Sequence, residues 1–307
     1  MTREKNKNSY FILSLDGGGI RGVFTARILE RLHSERPGFL NQCDLVAGTS
    51  TGSIIAMGLS LGKTPRQLVD FYRDKSNAVF KDSLYDDIRD LGRLQGAEYS
   101  LKGLKKELKK EFGTSKLGDI AKNILIPTFD LDNQAAAPAG RTWKPKFFHN
   151  FQENKPDAEE LAVDVVLRSC AAPVYFPSYQ GFIDGGVVAN NPAMAAIAQV
   201  LKSKQAELDE ICVLSLGTGM NPEYIKGDRL DWGLAQWAPI LIRLMSGAAM
   251  GVVDYQCRQL LGSRYQRLST IYEKPVKIDS LDDIDRMIAI ADGIDIEPVI
   301  EWIEQRS

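Results

Sequence analysis

Two short stretches of this 307-residue chain carry groups that can do covalent chemistry together. The first is Gly48-Thr49-Ser50-Thr51-Gly52, of the form G-x-S-x-G. It lies between an apolar run, Cys43 to Ala47, and the apolar stretch Ser53-Ile-Ile-Ala-Met-Gly-Leu59. A serine on a sharp strand-to-helix turn presents its hydroxyl above the sheet, and small neighbours permit the strained turn. The chemistry is nucleophilic attack on an acyl carbonyl, and it needs a base. The second stretch is Gly181-Phe-Ile-Asp184, followed by Gly185-Gly186. A carboxylate at a strand end with two glycines behind it can reach into a pocket unobstructed. An ordinary aspartate, with a pKa of ~3.9, is a weak base at neutral pH, but desolvation raises it.

Histidine is the usual base, and the chain has two. His33 sits in an amphipathic helical stretch beside Leu32, and His149 in the strand-like run Phe147-Phe148-His149-Asn150. Neither follows a glycine turn or ends a strand, so both read as structural and Asp184 is the better candidate.

A third stretch, Asp16-Gly17-Gly18-Gly19-Ile20-Arg21-Gly22, follows the apolar run Tyr10 to Leu15. It contains G-x-G-x-x-G between a strand and a helix, which by itself reads as a dinucleotide fingerprint. That fingerprint expects an acidic residue at the end of the next strand. Asp44 stands at the start of that strand, the wrong end. Consecutive glycines can instead aim backbone N–H groups at one point by a helix N-terminus, which binds an anion. Facing a serine, such a point is an oxyanion hole. Arg21 adds a positive charge, either to meet a phosphate headgroup or to brace the loop.

The elements needed to position these groups follow from periodicity. Tyr10–Leu15, Cys43–Ala47, Asn123–Leu131, Lys146–Phe151, Gly181–Asp184 and Glu210–Leu216 read as strands. Ile20, Phe24, Ile28 and Leu32 make a helical stripe, and Thr64-Pro65 and Asn191-Pro192 open further helices. Asp157 to Cys170 reads as a helix capped by Asp157 with Glu160 three residues on. The last quarter is mostly helical. Alternating strands and helices imply an α/β three-layer sandwich with a central, mostly parallel sheet. No repeat or linker interrupts the chain, so a single domain over residues 1–307 is expected, its motifs within 10–219 and 220–307 a helical part of the same domain.

These motifs together carry a resemblance. The chain resembles the patatin-like phospholipases, relatives of the cytosolic phospholipases, in its glycine loop, in Gly48–Gly52 and in Asp184-Gly185. Further similarity covers Ser169-Cys-Ala-Ala-Pro-Val-Tyr-Phe-Pro177, Asn190-Asn191-Pro192 and Ser215-Leu-Gly-Thr-Gly219. Ser53, where many members carry glycine, and Cys170 are small departures away from the catalytic positions. The resemblance implies a patatin-like fold and a Ser50–Asp184 dyad rather than a triad. It implies an oxyanion hole from the N–H groups of Gly18 and Gly19, helped by Gly17. The implied activity is hydrolysis of fatty acyl esters, of the phospholipase A or lysophospholipase type, through a covalent acyl-enzyme without metal or cofactor. The rival is a catalytically silent lipid- or nucleotide-binding module on the same fold.

Bulk composition narrows the partners. With 38 Lys+Arg against 40 Asp+Glu, the chain lacks the basic character of a nucleic-acid binder. Four scattered cysteines form no C-x-x-C pair and read as buried thiols. The start is polar, and no run reaches the ~18 apolar residues of a membrane span. A cytoplasmic protein with peripheral membrane contact is expected. Two stretches bear on that contact. Leu101, Leu104, Leu108 and Phe112 form one helix face, with Lys102, Lys105, Lys106, Lys109 and Lys110 around the rest. It reads as a solvated surface helix, or as one lying on anionic lipid. Trp232 to Val253, with Arg243 its only charge, reads as a buried core helix, or as a lid or acyl-channel wall.

Overall fold

The computed structural model describes residues 9–80, 97–136, 138–151, 157–227 and 230–306; the polar residues 1–8 lie outside them. The chain runs β1 (Tyr10–Leu15), α1 (Gly22–Glu35), β2 (Leu45–Gly48), α2 (Thr51–Ser60), α3 (Pro65–Phe80), α4 (Leu101–Phe112), β3 (Asn123–Asp130) and β4 (Lys144–His149). It continues with α5 (Ala162–Ser169), β5 (Phe182–Asp184), α6 (Gly186–Ala189), α7 (Ala193–Lys202), β6 (Ile211–Leu216), α8 (Leu234–Leu261), β7 (Tyr265–Leu268), α9 (Ile284–Gly293) and α10 (Glu297–Glu304).

The seven strands form one sheet in the order β4-β3-β2-β1-β6-β7, with β5 also pairing β3. The pairs β1–β2, β1–β6, β2–β3 and β6–β7 are parallel, whereas β4 and β5 run antiparallel to β3. Strand order reverses at β1, and ligands of such sheets bind at the carboxyl ends beside that reversal.

Alternation along each strand separates two cores. Phe11, Leu13 and Leu15 of β1 join Val46, Ile124 and Leu214 under α1 to α5, α9 and α10. Tyr10 and Ile12 join Leu45, Ala47, Leu125 and Val213 under α7 and α8. Successive strand side chains point to opposite faces, so a strand buried on both must be apolar throughout. The result is the expected three-layer sandwich around a mostly parallel sheet.

Two expectations need correction, and one alternative falls away. The helix anticipated from Asp157 begins only at Ala162. The Asp157 carboxylate accepts instead from Lys146 Nζ at 2.6 Å and from the His149 N–H at 3.2 Å, so it anchors β4 and caps nothing. The apolar face of α4 does not lie on lipid. Leu104, Leu108 and Phe112 are buried in the larger core, and only the lysine side meets solvent. Finally, Trp232–Val253 is no buried core helix. It forms most of α8, on which Leu234, Leu241, Leu244, Met245, Val252 and Tyr255 are exposed while Cys257 and Leu261 are buried.

Thermal or denaturant unfolding checks the α4 assignment. Leu108→Ala should cost about 2–5 kcal/mol, because it empties a fully buried position. Lys109→Ala should stay within about 0.5 kcal/mol.

Candidate active site

The chain ends of β1, β2, β5 and β6 bring Asp16, Ser50, Asp184 and Gly217 to one edge of the sheet. Register explains why Ser50 and Asp184 meet. Ala47 of β2 pairs with Leu125 of β3, and Thr128 of β3, three residues on, pairs with Asp184 of β5. Ser50 is likewise three residues beyond Ala47. Both side chains therefore stand at the level of Thr128.

Ser50 has φ 51° and ψ −122°, a strained conformation for a side-chain-bearing residue, directly before α2. The turn survives because its neighbours lack a Cβ. A Cβ on Gly48 would collide with the Gly52 carbonyl, and one on Gly52 with the Leu15 carbonyl. The Ser50 N–H donates to Ser169 Oγ at 3.0 Å, and Ser169 Oγ donates to the Pro127 carbonyl at 2.7 Å. Thr49 Oγ1 donates to the Ala189 carbonyl at 2.6 Å, tying the turn to α6.

Asp184 is 5% exposed. Burial pushes its pKa up to about 6, opposed by hydrogen bonds from the Ser50 side chain and the Gly186 N–H. The Gly186 bond measures 2.6 Å. Gly185 is required too, since a Cβ there would collide with the Pro127 carbonyl. No histidine belongs to this pair. His149 packs edge-on against Phe151 at 5.6 Å, with Nδ1 buried and unbonded. Burial lowers its pKa.

The glycine loop is oriented bond by bond. The Gly17 carbonyl accepts from Thr218 Oγ1 at 2.9 Å, and the Gly18 carbonyl from Arg21 Nε at 3.2 Å. In a trans peptide the C=O and the following N–H point opposite ways. Each of these bonds therefore turns the next amide away from its donor, Gly18 N–H from Thr218 and Gly19 N–H from the Arg21 side chain. Among the described residues, no acceptor in the chain takes either amide. Gly17 differs: its N–H donates to the Asn190 carbonyl at 3.0 Å. The Gly17 amide, from which help was expected, is thus engaged within the chain, although Gly17 packs close to Ser50 Cβ. Gly19, at φ 60°, needs its left-handed freedom as the loop turns into α1. Arg21 Nη1 donates to the Gly219 carbonyl at 3.2 Å, so Arg21 braces the loop.

Sequence reasoning gave no role to Ser169, Asn190 or Thr218. Their signal lay in the Ser-Cys-Ala-Ala-Pro, Asn-Asn-Pro and Gly-Thr-Gly stretches that share in the family resemblance. The buried pair of Asp16 with Arg267, 2.6 Å apart, had no local signal at all. Among the described residues no cluster of three or more His, Cys, Asp or Glu side chains is placed to hold a metal ion.

Residues 13–197 match the patatin-like phospholipase family. The chain belongs to that family. It is 30% identical to Protein teg of Priestia megaterium, over 96% of this chain and 98% of the relative. It is 34% identical to a cGAMP-activated phospholipase of Vibrio cholerae, over 72% of this chain and 67% of the relative. It is 29% identical to Patatin-like protein 2 of Oryza sativa subsp. indica, over 79% and 68%. Lipid hydrolysis is the activity that membership in the patatin-like family supports. Among the described residues, no helix is long and apolar enough to cross a membrane.

The raised Asp184 pKa has a consequence for stability. A carboxyl at about 6 when folded and ~3.9 when unfolded binds more protons in the folded state between those values. The folded state therefore loses stability as pH rises from 4 to 6. Asp184→Asn should remove a penalty of up to about 3 kcal/mol at pH 7.5 and almost none at pH 4. Melting curves at both pH values check this, and equal shifts at both would refute it.

Proposed function

We propose that this patatin-like protein hydrolyses fatty acyl esters of lipids through a Ser50–Asp184 dyad and a covalent acyl-enzyme. The observation that carries the reading is the buried Asp184 carboxyl facing a strained Ser50, with two unengaged loop amides beside them. Asp184 takes the Ser50 proton as Oγ attacks the ester carbonyl carbon. The oxyanion that forms is held by the N–H groups of Gly18 and Gly19. The intermediate collapses, the C–O bond to the alcohol breaks, and the alcohol leaves with the proton from Asp184. Water then gives its proton to Asp184 and attacks the acyl carbon. Loss of the fatty acid returns the proton to Ser50. A base with pKa near 6 is ionised at neutral pH and still accepts a proton readily.

A phospholipid is the substrate class favoured here, with the protein working as a peripheral enzyme at a lipid surface. The exposed apolar residues of α8 support that contact, since α8 packs on α6, which directly follows Asp184-Gly185. Met250 of α8 also lies 2.9 Å from Asn190 Nδ2, beside the glycine loop. A basic α4 plays no part in it, because its apolar face is already buried.

A fluorophosphonate probe and lipid product analysis test the reading together. The wild-type protein should be labelled at Ser50 and should release free fatty acid from mixed bacterial phospholipids. Ser50→Ala should lose both. Asp184→Asn should lose ~10²–10⁴-fold in rate, the range of a general base. A folded but unlabelled wild type would leave the silent-module alternative standing.

kcat/KM on a soluble ester should rise as pH climbs through about 6, where Asp184 ionises. A profile flat from pH 4.5 to 8 would remove Asp184 as the base.

A further inference from the structure

Asp16, the residue before the glycine loop, points its side chain to the face covered by α7 and α8. Alternation places it with Tyr10, Ile12 and Ser14. On that face a polar row crosses three strands, because Ser14 of β1 pairs with Ser215 of β6, and Ser215 pairs with Arg267 of β7. Arg267 reaches along the row toward β1. Its Nη2 lies 2.6 Å from Asp16 Oδ2 and its Nη1 lies 3.3 Å from Oδ1, a two-pronged grip. Nη1 also donates to Ser215 Oγ at 2.6 Å. From the other side, Nε lies 3.8 Å from Asp254 Oδ1 on α8. The Asp16 and Arg267 side chains are only 2% and 10% exposed. Asp254 Oδ1 is itself buried without a hydrogen bond.

We propose that Arg267 is a positioning residue for the anion-binding loop, acting through the Asp16 carboxylate, with Asp254 as its second anchor. The inference rests on the hydrolase reading above. The backbone leaving β1 is fixed at its Asp16 N–H by the Leu216 carbonyl, 3.0 Å away, and at its Gly17 N–H by Asn190. Arg267 fixes the side chain between those two bonds. This sets the direction in which the chain enters Gly17-Gly18, and hence where the Gly18 and Gly19 amides point. A planar fork is suited to this, since it holds both carboxylate oxygens at once and a lysine does not.

The test uses the full chain with Arg267→Lys, Arg267→Met, Asp16→Asn and the double variant Asp16→Asn/Arg267→Met. On a soluble short-chain ester, Arg267→Lys should lose about tenfold in kcat, and Arg267→Met ~10²–10³-fold, the scale of one lost oxyanion donor. KM should stay within about threefold, because the ground-state ester does not need the loop's exact aim. A trifluoromethyl ketone, whose bound adduct carries an oxyanion, should weaken by the same factor as kcat. The double variant should lose no more than the worse single one, as expected for residues acting as a pair.

Unchanged kcat and unchanged ketone affinity in Arg267→Lys would overturn the proposal, as would losses confined to KM or multiplying in the double variant. Should Arg267→Met fail to fold because Asp16 is left buried and unpaired, Arg267→Lys decides, since it keeps the charge. The amide proton and nitrogen shifts of Gly18 and Gly19 give a readout that needs no turnover. They should move in Arg267→Lys, and unmoved shifts would overturn the role of Arg267 even in a protein that hydrolyses nothing. Absence of fluorophosphonate labelling in the wild type would instead count against the Ser50 reading.

Discussion

Main chain meets main chain at the carboxyl edge of the sheet with no space for a Cβ between. Gly48 abuts Gly52, Gly52 abuts Leu15, and Gly185 abuts Pro127. These approaches bring the ends of β1, β2, β3 and β5 close enough for Ser50 and Asp184 to share one small volume. The same crowding keeps water from Asp184 and forces the strained φ of Ser50. Strain of this kind persists only where the surroundings over-determine it. Here they do: the Ser50 N–H is held by Ser169, the Thr49 hydroxyl and the Gly17 N–H by the adjacent carbonyls of Ala189 and Asn190, and the Gly17 carbonyl by Thr218.

Two carboxylates are buried at this edge, and burial raises the pKa of both, but they keep different company. Asp16 meets the Arg267 guanidinium, which opposes the rise and holds the side chain as an anchor. Among the described residues, Asp184 meets only the Ser50 hydroxyl and the Gly186 N–H, so its ionised form stays poorly compensated. That difference in company separates a structural acid from one able to exchange a proton. Both residues precede glycine, and nothing in the dipeptides themselves distinguishes them.

Much of this was legible in the sequence. Apolar runs ending in glycine marked β1, β2 and β6, and the G-x-S-x-G turn stood where the strand–turn–helix context demands it. The shortage of histidine pointed toward Asp184. Boundaries were less legible where a long-range bond competes with a local signal. Asp157 looks like a helix cap, but Lys146 and His149 claim its oxygens across the strand edge. The engaged amide of Gly17 could not be foreseen, because its acceptor, Asn190, lies 173 residues away. Arg267 carried no local pattern, since its partner is assigned by sheet register. For α8, hydropathy measured how apolar the helix is and not whether anything covers it.

The order of the strands sets when the site can exist. β1 pairs with β6, bringing Tyr10 beside Ile211, and the glycine loop is held by Asn190, Thr218 and Arg267. A chain emerging from the ribosome at ~5–20 residues per second exposes Ser50 many seconds before those residues appear. Until they do, the glycine loop lacks the bonds to Asn190, Thr218 and Arg267 that orient it beside Ser50. The long sequence separation within the sheet thus ties assembly of the site to segments made long after Ser50.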